Sequence, residues 1–183
     1  MKKSLLNIVI PLRAQLLLFP AIVNSLERKE FDFLPHLDRW MKEVEAILVN
    51  NSIPDCAEVA GFRSKILAPA FAHTHKVSTR KQQVSVAAGV LYDVQNLVLN
   101  VLKPYEIKVG ESRELISQLL SMVKQTGAVK YENGDFQSFI NTLWNLFCTH
   151  QQLKPGAAKL QTLLSSADIM RLMAEEVEPS EWI

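Results

Sequence analysis

The chain is poor in the residues that break or staple a fold: six glycines, eight prolines and two cysteines in 183 positions. So few turn formers cannot punctuate the many short strands of a β-sandwich or barrel. Cys56 and Cys148 are too few for a disulfide framework and read as reduced thiols packed as small hydrophobes, with a single bridge between them left open. No two glycines lie within three residues of one another, so neither a phosphate-cradling loop nor a dinucleotide-binding turn is encoded. There is no Gly-x-Ser-x-Gly elbow. No carboxylate stands three residues before any of the four histidines, which removes the helical di-iron motif. No arginine precedes a histidine by four to six residues, a spacing that would suit a small helical ribonuclease. With these templates gone, the reading leans away from an enzyme. An enzyme or small-ligand pocket inside a helical bundle is the third reading, and no cofactor is expected.

What the chain does contain is apolar residues at helical spacing. Leu5, Val9, Leu12, Leu16, Phe19, Val23 and Leu26 recur at intervals of four and three, and Leu6, Ile10 and Leu17 widen that face. Pro11 and Pro20 should kink or break this first helix. Lys2 and Lys3 ahead of the apolar run imitate a signal peptide or membrane span. Arg13 at its middle would cost about 2.5–3.5 kcal/mol on insertion, so a core helix is expected and no membrane partner. A second helix is expected over 38–49, closed by Asn50-Asn51-Ser52, and a third from Pro54 to about Pro69 with Asn51 or Ser52 as its cap. The longest pattern, over 77–102, carries Val84, Ala87, Leu91, Val94, Val98 and Val101 and should end at Pro104. After a loop at Gly110, helices are expected over 112–124, from Asp135 as cap through Phe147, over 155–164, and over 167–177 behind a Ser165/Asp168 capping box. Helical spacing after Asn133-Gly134 outweighs the hairpin that alternation at Val129 and Tyr131 suggests. The expected architecture is all-α: a single-domain bundle of about seven or eight helices over 1–177, with an acidic, Trp-containing tail over 178–183.

Charge is balanced overall at +1 but unevenly placed, with a net +4 over residues 1–110 and −3 over 111–183. No Asp or Glu occurs in the 34 residues from 59 to 92, which hold Arg63, Lys65, Lys76, Arg80 and Lys81. Cations near the start of a long helix oppose its dipole, and an anionic partner would relieve that penalty. This interval is the candidate anion or nucleic-acid surface, against the plainer reading of a solvated polar face. Aromatic residues near it are few, so contact would be to backbone phosphate rather than to bases. His73 and His75 are weak metal candidates, as are Cys148 and His150, which a helix would turn about 200° apart, so no metal is expected. The final helix pair resembles a helix-turn-helix in length alone, because Asp168, Glu175 and Glu176 outnumber Arg171 on the would-be recognition helix. Trp182 and Ile183 end the chain among acidic residues; they fold back on the bundle or form a partner-binding tail. The function expected is therefore a non-enzymatic helical interaction protein, a small subunit or adaptor of a cytoplasmic assembly. It would bind a protein partner or a second copy of itself. The alternative is a nucleic-acid-backbone-binding subunit.

Overall fold

The structure, a computed structural model, describes residues 2–71, 78–127, 129–131 and 134–182. The chain is all-α, and no strand occurs among the described residues. Seven helices are described: α1 (Leu6–Glu27), α2 (Phe33–Asn50), α3 (Cys56–Leu67), α4 (Thr79–Thr126), α5 (Phe136–Thr149), α6 (Lys154–Leu163) and α7 (Ser166–Glu176). Short 3-10 turns cover Ala68–Ala70 and Pro179–Trp182. Two compact units divide the chain, one of Asn7–Pro104 and one of Tyr105–Ile183 with Met1–Leu6.

In the Asn7–Pro104 unit, α2 packs along α3 and buries Phe33, Leu37, Trp40, Met41, Val44 and Leu48, an unbroken stripe at three- and four-residue spacing. It begins at Phe33 rather than at Asp38, because Pro35 falls in the first turn, where a missing N–H costs nothing. Phe19 of α1 meets the Trp40 ring at 5.3 Å, and the Trp40 indole donates to the Gln15 carbonyl at 2.8 Å. Pro11 and Pro20 do not interrupt α1. Val9, Leu12 and Phe19 are buried as the spacing predicts, whereas Ile10 and Leu17 lie outside the face they were expected to widen. Both α1 and α2 end in left-handed turns. Lys29 and Ser52 each have φ of 56°, and the Glu30 and Ile53 amides close back on the Ser25 and Leu48 carbonyls. Ser52 thus terminates α2, and the residue at the N-cap of α3 is Asp55, not Asn51 or Ser52.

The Tyr105–Ile183 unit packs α5, α6 and α7 on one another. Asp135 caps α5 by accepting from the Gln137 and Ser138 amides, as its position predicts. Ser165 caps α7 by accepting from the Asp168 amide at 3.2 Å. The Asp168 carboxylate does not complete the reciprocal box. It is buried, and it accepts instead from the Leu5 amide at 2.8 Å and from the Ser4 hydroxyl, fixing the start of the chain to α7. Lys2 adds to this by donating to the Gln161 and Thr162 carbonyls at the end of α6. Gly156 sits where a β-carbon would come within 2.8 Å of the Leu119 side chain, so its bare backbone permits that approach.

The largest departure from expectation is α4. Its helix neither ends at Pro104 nor opens into a loop at Gly110. Pro104 and Asn100, whose carbonyl loses its donor, are both exposed, so water can replace the missing bond. Buried Val98, Val101 and Leu102 before the proline, and Val109, Ser112 and Ile116 after it, hold the helical path on both sides. By length and composition alone, α1 and α4 could each cross a membrane; 33% of the most apolar window of α1 and 28% of that of α4 is buried.

Candidate functional site

Among the described residues of the Asn7–Pro104 unit, α2 lines two clefts. The first has a volume of about 300 Å³ and an apolar floor from α2 and α3 (Leu34, Leu37, Met41, Ile66). Its polar wall is Asp38, Arg63, Arg80 and Gln83. Arg63 reaches from α3 to α2, where its Nε donates to Asp38 at 3.2 Å and its Nη1 to Glu45. Lys42, one turn beyond Asp38, pairs with the same carboxylate at 2.7 Å. Burial pushes the Asp38 carboxyl up, yet the hydrogen bonds from Lys42 and Arg63 more than offset this and hold it below the usual carboxylate value. Burial likewise works against the Arg63 charge, and its two carboxylate partners outweigh it. Arg80 is anchored differently. Its guanidinium lies 4.0 Å from the Phe31 ring centre and donates to the Phe31 carbonyl.

This geometry separates the five cations of the 59–92 interval. Arg63 and Arg80 share the first cleft, which Lys65 and Lys81 do not line. Lys65 sits over its own neighbour Phe62 at 5.1 Å, and Lys81 is exposed, with no carboxylate partner among the described residues. Lys76 lies outside the described residues. The interval is free of acid along the chain but not in space, because Asp38 and Glu45 of α2 compensate Arg63. Linear charge counting missed these partners. The signal for them was the Asp38, Lys42, Glu45 spacing, which puts all three on one side of α2.

The second cleft, of about 290 Å³, lies between α1 and α2. Leu18, Ala21, Ile22 and Trp40 form its apolar lining, and Gln15, His36, Arg39 and Glu43 its polar rim. Leu18 is 55% exposed and the adjoining Leu17 76%. The sequence held a signal for this surface too: Leu16, Leu17, Leu18 and Phe19 are consecutive, and successive helix positions turn about 100° apart, so one buried stripe cannot take all four.

The tail and the metal candidates lie elsewhere. Trp182 is buried in the Tyr105–Ile183 unit, edge-on to Phe139 at 5.5 Å, and its carbonyl accepts from the Tyr131 amide at 2.7 Å. Lys124 stands 5.2 Å from the Trp182 ring centre and pairs with Glu181. The indole ring is therefore buried within its own unit; Ile183 lies outside the described residues. So do His73 and His75. Among the described residues no three His, Cys, Asp or Glu side chains gather as metal ligands. Cys56 and Cys148 are free thiols, and burial pushes the Cys148 thiol up, toward its neutral form. No protein-family model, no curated protein and no solved structure matches this chain.

Proposed function

We propose that the chain is a non-catalytic interaction subunit of a cytoplasmic assembly, and that it receives an amphipathic helix of a partner protein in the α1–α2 groove. The observation that carries this reading is the apolar lining of Leu18, Ala21, Ile22 and Trp40, with Leu17 and Leu18 exposed beside it. Soluble chains rarely leave an apolar groove rimmed by polar side chains without a use for it. The floor is rigid, because Trp40 is fixed by its bond to the Gln15 carbonyl and its contact with Phe19. The rim carries both signs of charge in Arg39 and Glu43, which suits a partner helix with apolar anchors at i, i+3 or i+4 and charged flanks.

A photocrosslinker placed at Leu18 tests the proposal in the cells that make the protein. It should capture one protein species, and the same probe at exposed Glu58 on α3 should not. An adduct of twice the chain mass would identify the partner as a second copy. Equal capture at both positions, or none at Leu18, removes the reading. If the purified chain floats with lipid vesicles and Leu17→Asp/Leu18→Asp abolishes flotation, the face belongs to a bilayer instead. The alternative of nucleic-acid-backbone binding is supported by the exposure of Lys65 and Lys81 and weakened by the neutralisation of Arg63. It predicts duplex binding that is independent of sequence and falls steeply with salt.

A further inference from the structure

The first cleft has features that the α1–α2 groove lacks: two guanidinium groups held in place over an apolar floor. Arg63 spends its Nε and Nη1 on Asp38 and Glu45, and its Nη2 has no partner among the described residues. Arg80 spends its Nη2 on the Phe31 carbonyl, and its Nε and Nη1 have none among them. Each group is thus immobilised by some of its donors while others remain to be satisfied, so little further ordering would be needed to bind an acceptor. Gln83, three residues after Arg80 on α4, adds an amide to the same wall.

The charges around the cleft limit what can enter. Among the described residues, Arg63 and Lys42 pair with the carboxylates of Asp38 and Glu45, which leaves the charge of Arg80 uncompensated. That suits a ligand with a single negative charge, whereas a dianion would meet Asp38 without compensation. The floor of Leu34, Leu37, Met41 and Ile66, with Leu67 at its edge, calls for an apolar body behind that charge. At about 30 Å³ per water-sized group, the cleft takes roughly ten non-hydrogen atoms. We infer that the α2–α3–α4 cleft is a binding site for a small amphiphilic monocarboxylate, its carboxylate between Arg63 and Arg80 and its hydrocarbon on the α2 floor.

Octanoate is a probe of that size and charge. Calorimetric titration of the full chain should show octanoate binding, with octan-1-ol and inorganic phosphate each weaker by roughly ten- to a hundredfold, since each lacks one half of the recognition. Arg80→Gln lies outside the Asp38–Arg63–Glu45 network, so the fold should persist, while octanoate affinity falls by a similar factor. Leu67→Gln should weaken octanoate and leave the weak phosphate binding unchanged. Leu18→Asp, in the other groove, should leave octanoate binding as it was, so this site and the partner groove stand or fall separately. The inference is overturned by an absence of octanoate binding at millimolar concentration, by octan-1-ol binding as tightly, by an unchanged affinity in a folded Arg80→Gln protein, or by loss of binding in Leu18→Asp.

Discussion

Asp168 shows how one side chain can fix a terminus. Its amide completes the cap of α7, while its buried carboxylate takes the Leu5 amide and the Ser4 hydroxyl. Asp168→Ala leaves the half-buried Leu5 amide without its charged acceptor. It should cost about 2–3 kcal/mol in urea unfolding, well above the usual effect of an exposed helix substitution. Lys29 and Ser52 run the other way. Each holds a left-handed conformation that a β-carbon disfavours. Ser52→Gly should therefore raise stability by up to about 1 kcal/mol, read from the same titration as a shift in midpoint with no change in slope. Trp182 separates ring from donor. Its indole N–H is buried with no acceptor among the described residues, so Trp182→Phe should be nearly neutral, whereas Trp182→Ala should cost about 3–5 kcal/mol in thermal unfolding.

At the scale of elements, α4 is the instructive case. A proline inside a helix costs about 3 kcal/mol relative to alanine in an unsupported host, and α4 continues through Pro104 because apolar positions on both sides are buried. Pro104→Ala should accordingly stabilise the protein by about 1–3 kcal/mol, with amide exchange slowing most around residues 100–104. The same element marks where sequence reading reached its limit. The stripe Ala87, Leu91, Val94, Val98, Val101 was legible, and so was Ile116, Leu119, Val123. The link between them, Tyr105, Val109 and Ser112, has the same three-to-four spacing, but Pro104 and Gly110 argue locally for an interruption. Local propensity cannot weigh burial contributed by distant parts of the chain, and here burial prevails.

Across the whole molecule, charge placement governs acid sensitivity. Asp38 and Glu175 sit below the ordinary carboxylate value because the hydrogen bonds from their Lys and Arg partners exceed the opposing effect of burial. Asp135 does so through its bonds to Ser138 and Gln137. A carboxylate depressed by folding contributes stability that is fully present above its unfolded value, about 4, and is lost as pH falls through the folded value. The melting temperature should therefore hold near neutrality and drop below about pH 4, and Arg113→Met, which removes a partner of both Glu175 and Glu176, should flatten that drop. The same long-range pairing explains why the fold class was legible and the site only in part. Periodicity is a local property, so helices and caps such as Asp135 and Ser165 could be read directly. Arg63 and Arg80 were singled out as cations, but their shared cleft, and the acids that compensate Arg63, depend on the return of α2 against α3. The exposed Leu17 and Leu18 were hidden for the same reason, since an apolar residue reads as core until its neighbours are known.

The helix α4 belongs to both compact units, one ending at Pro104 and the other resuming at Tyr105. A gene fusion, truncation or recombination breakpoint at that junction would hand each product half a helix with a raw end. The two halves are thus joined by continuous helical backbone rather than by a loop where a cut would be harmless, although each has a hydrophobic interior of its own.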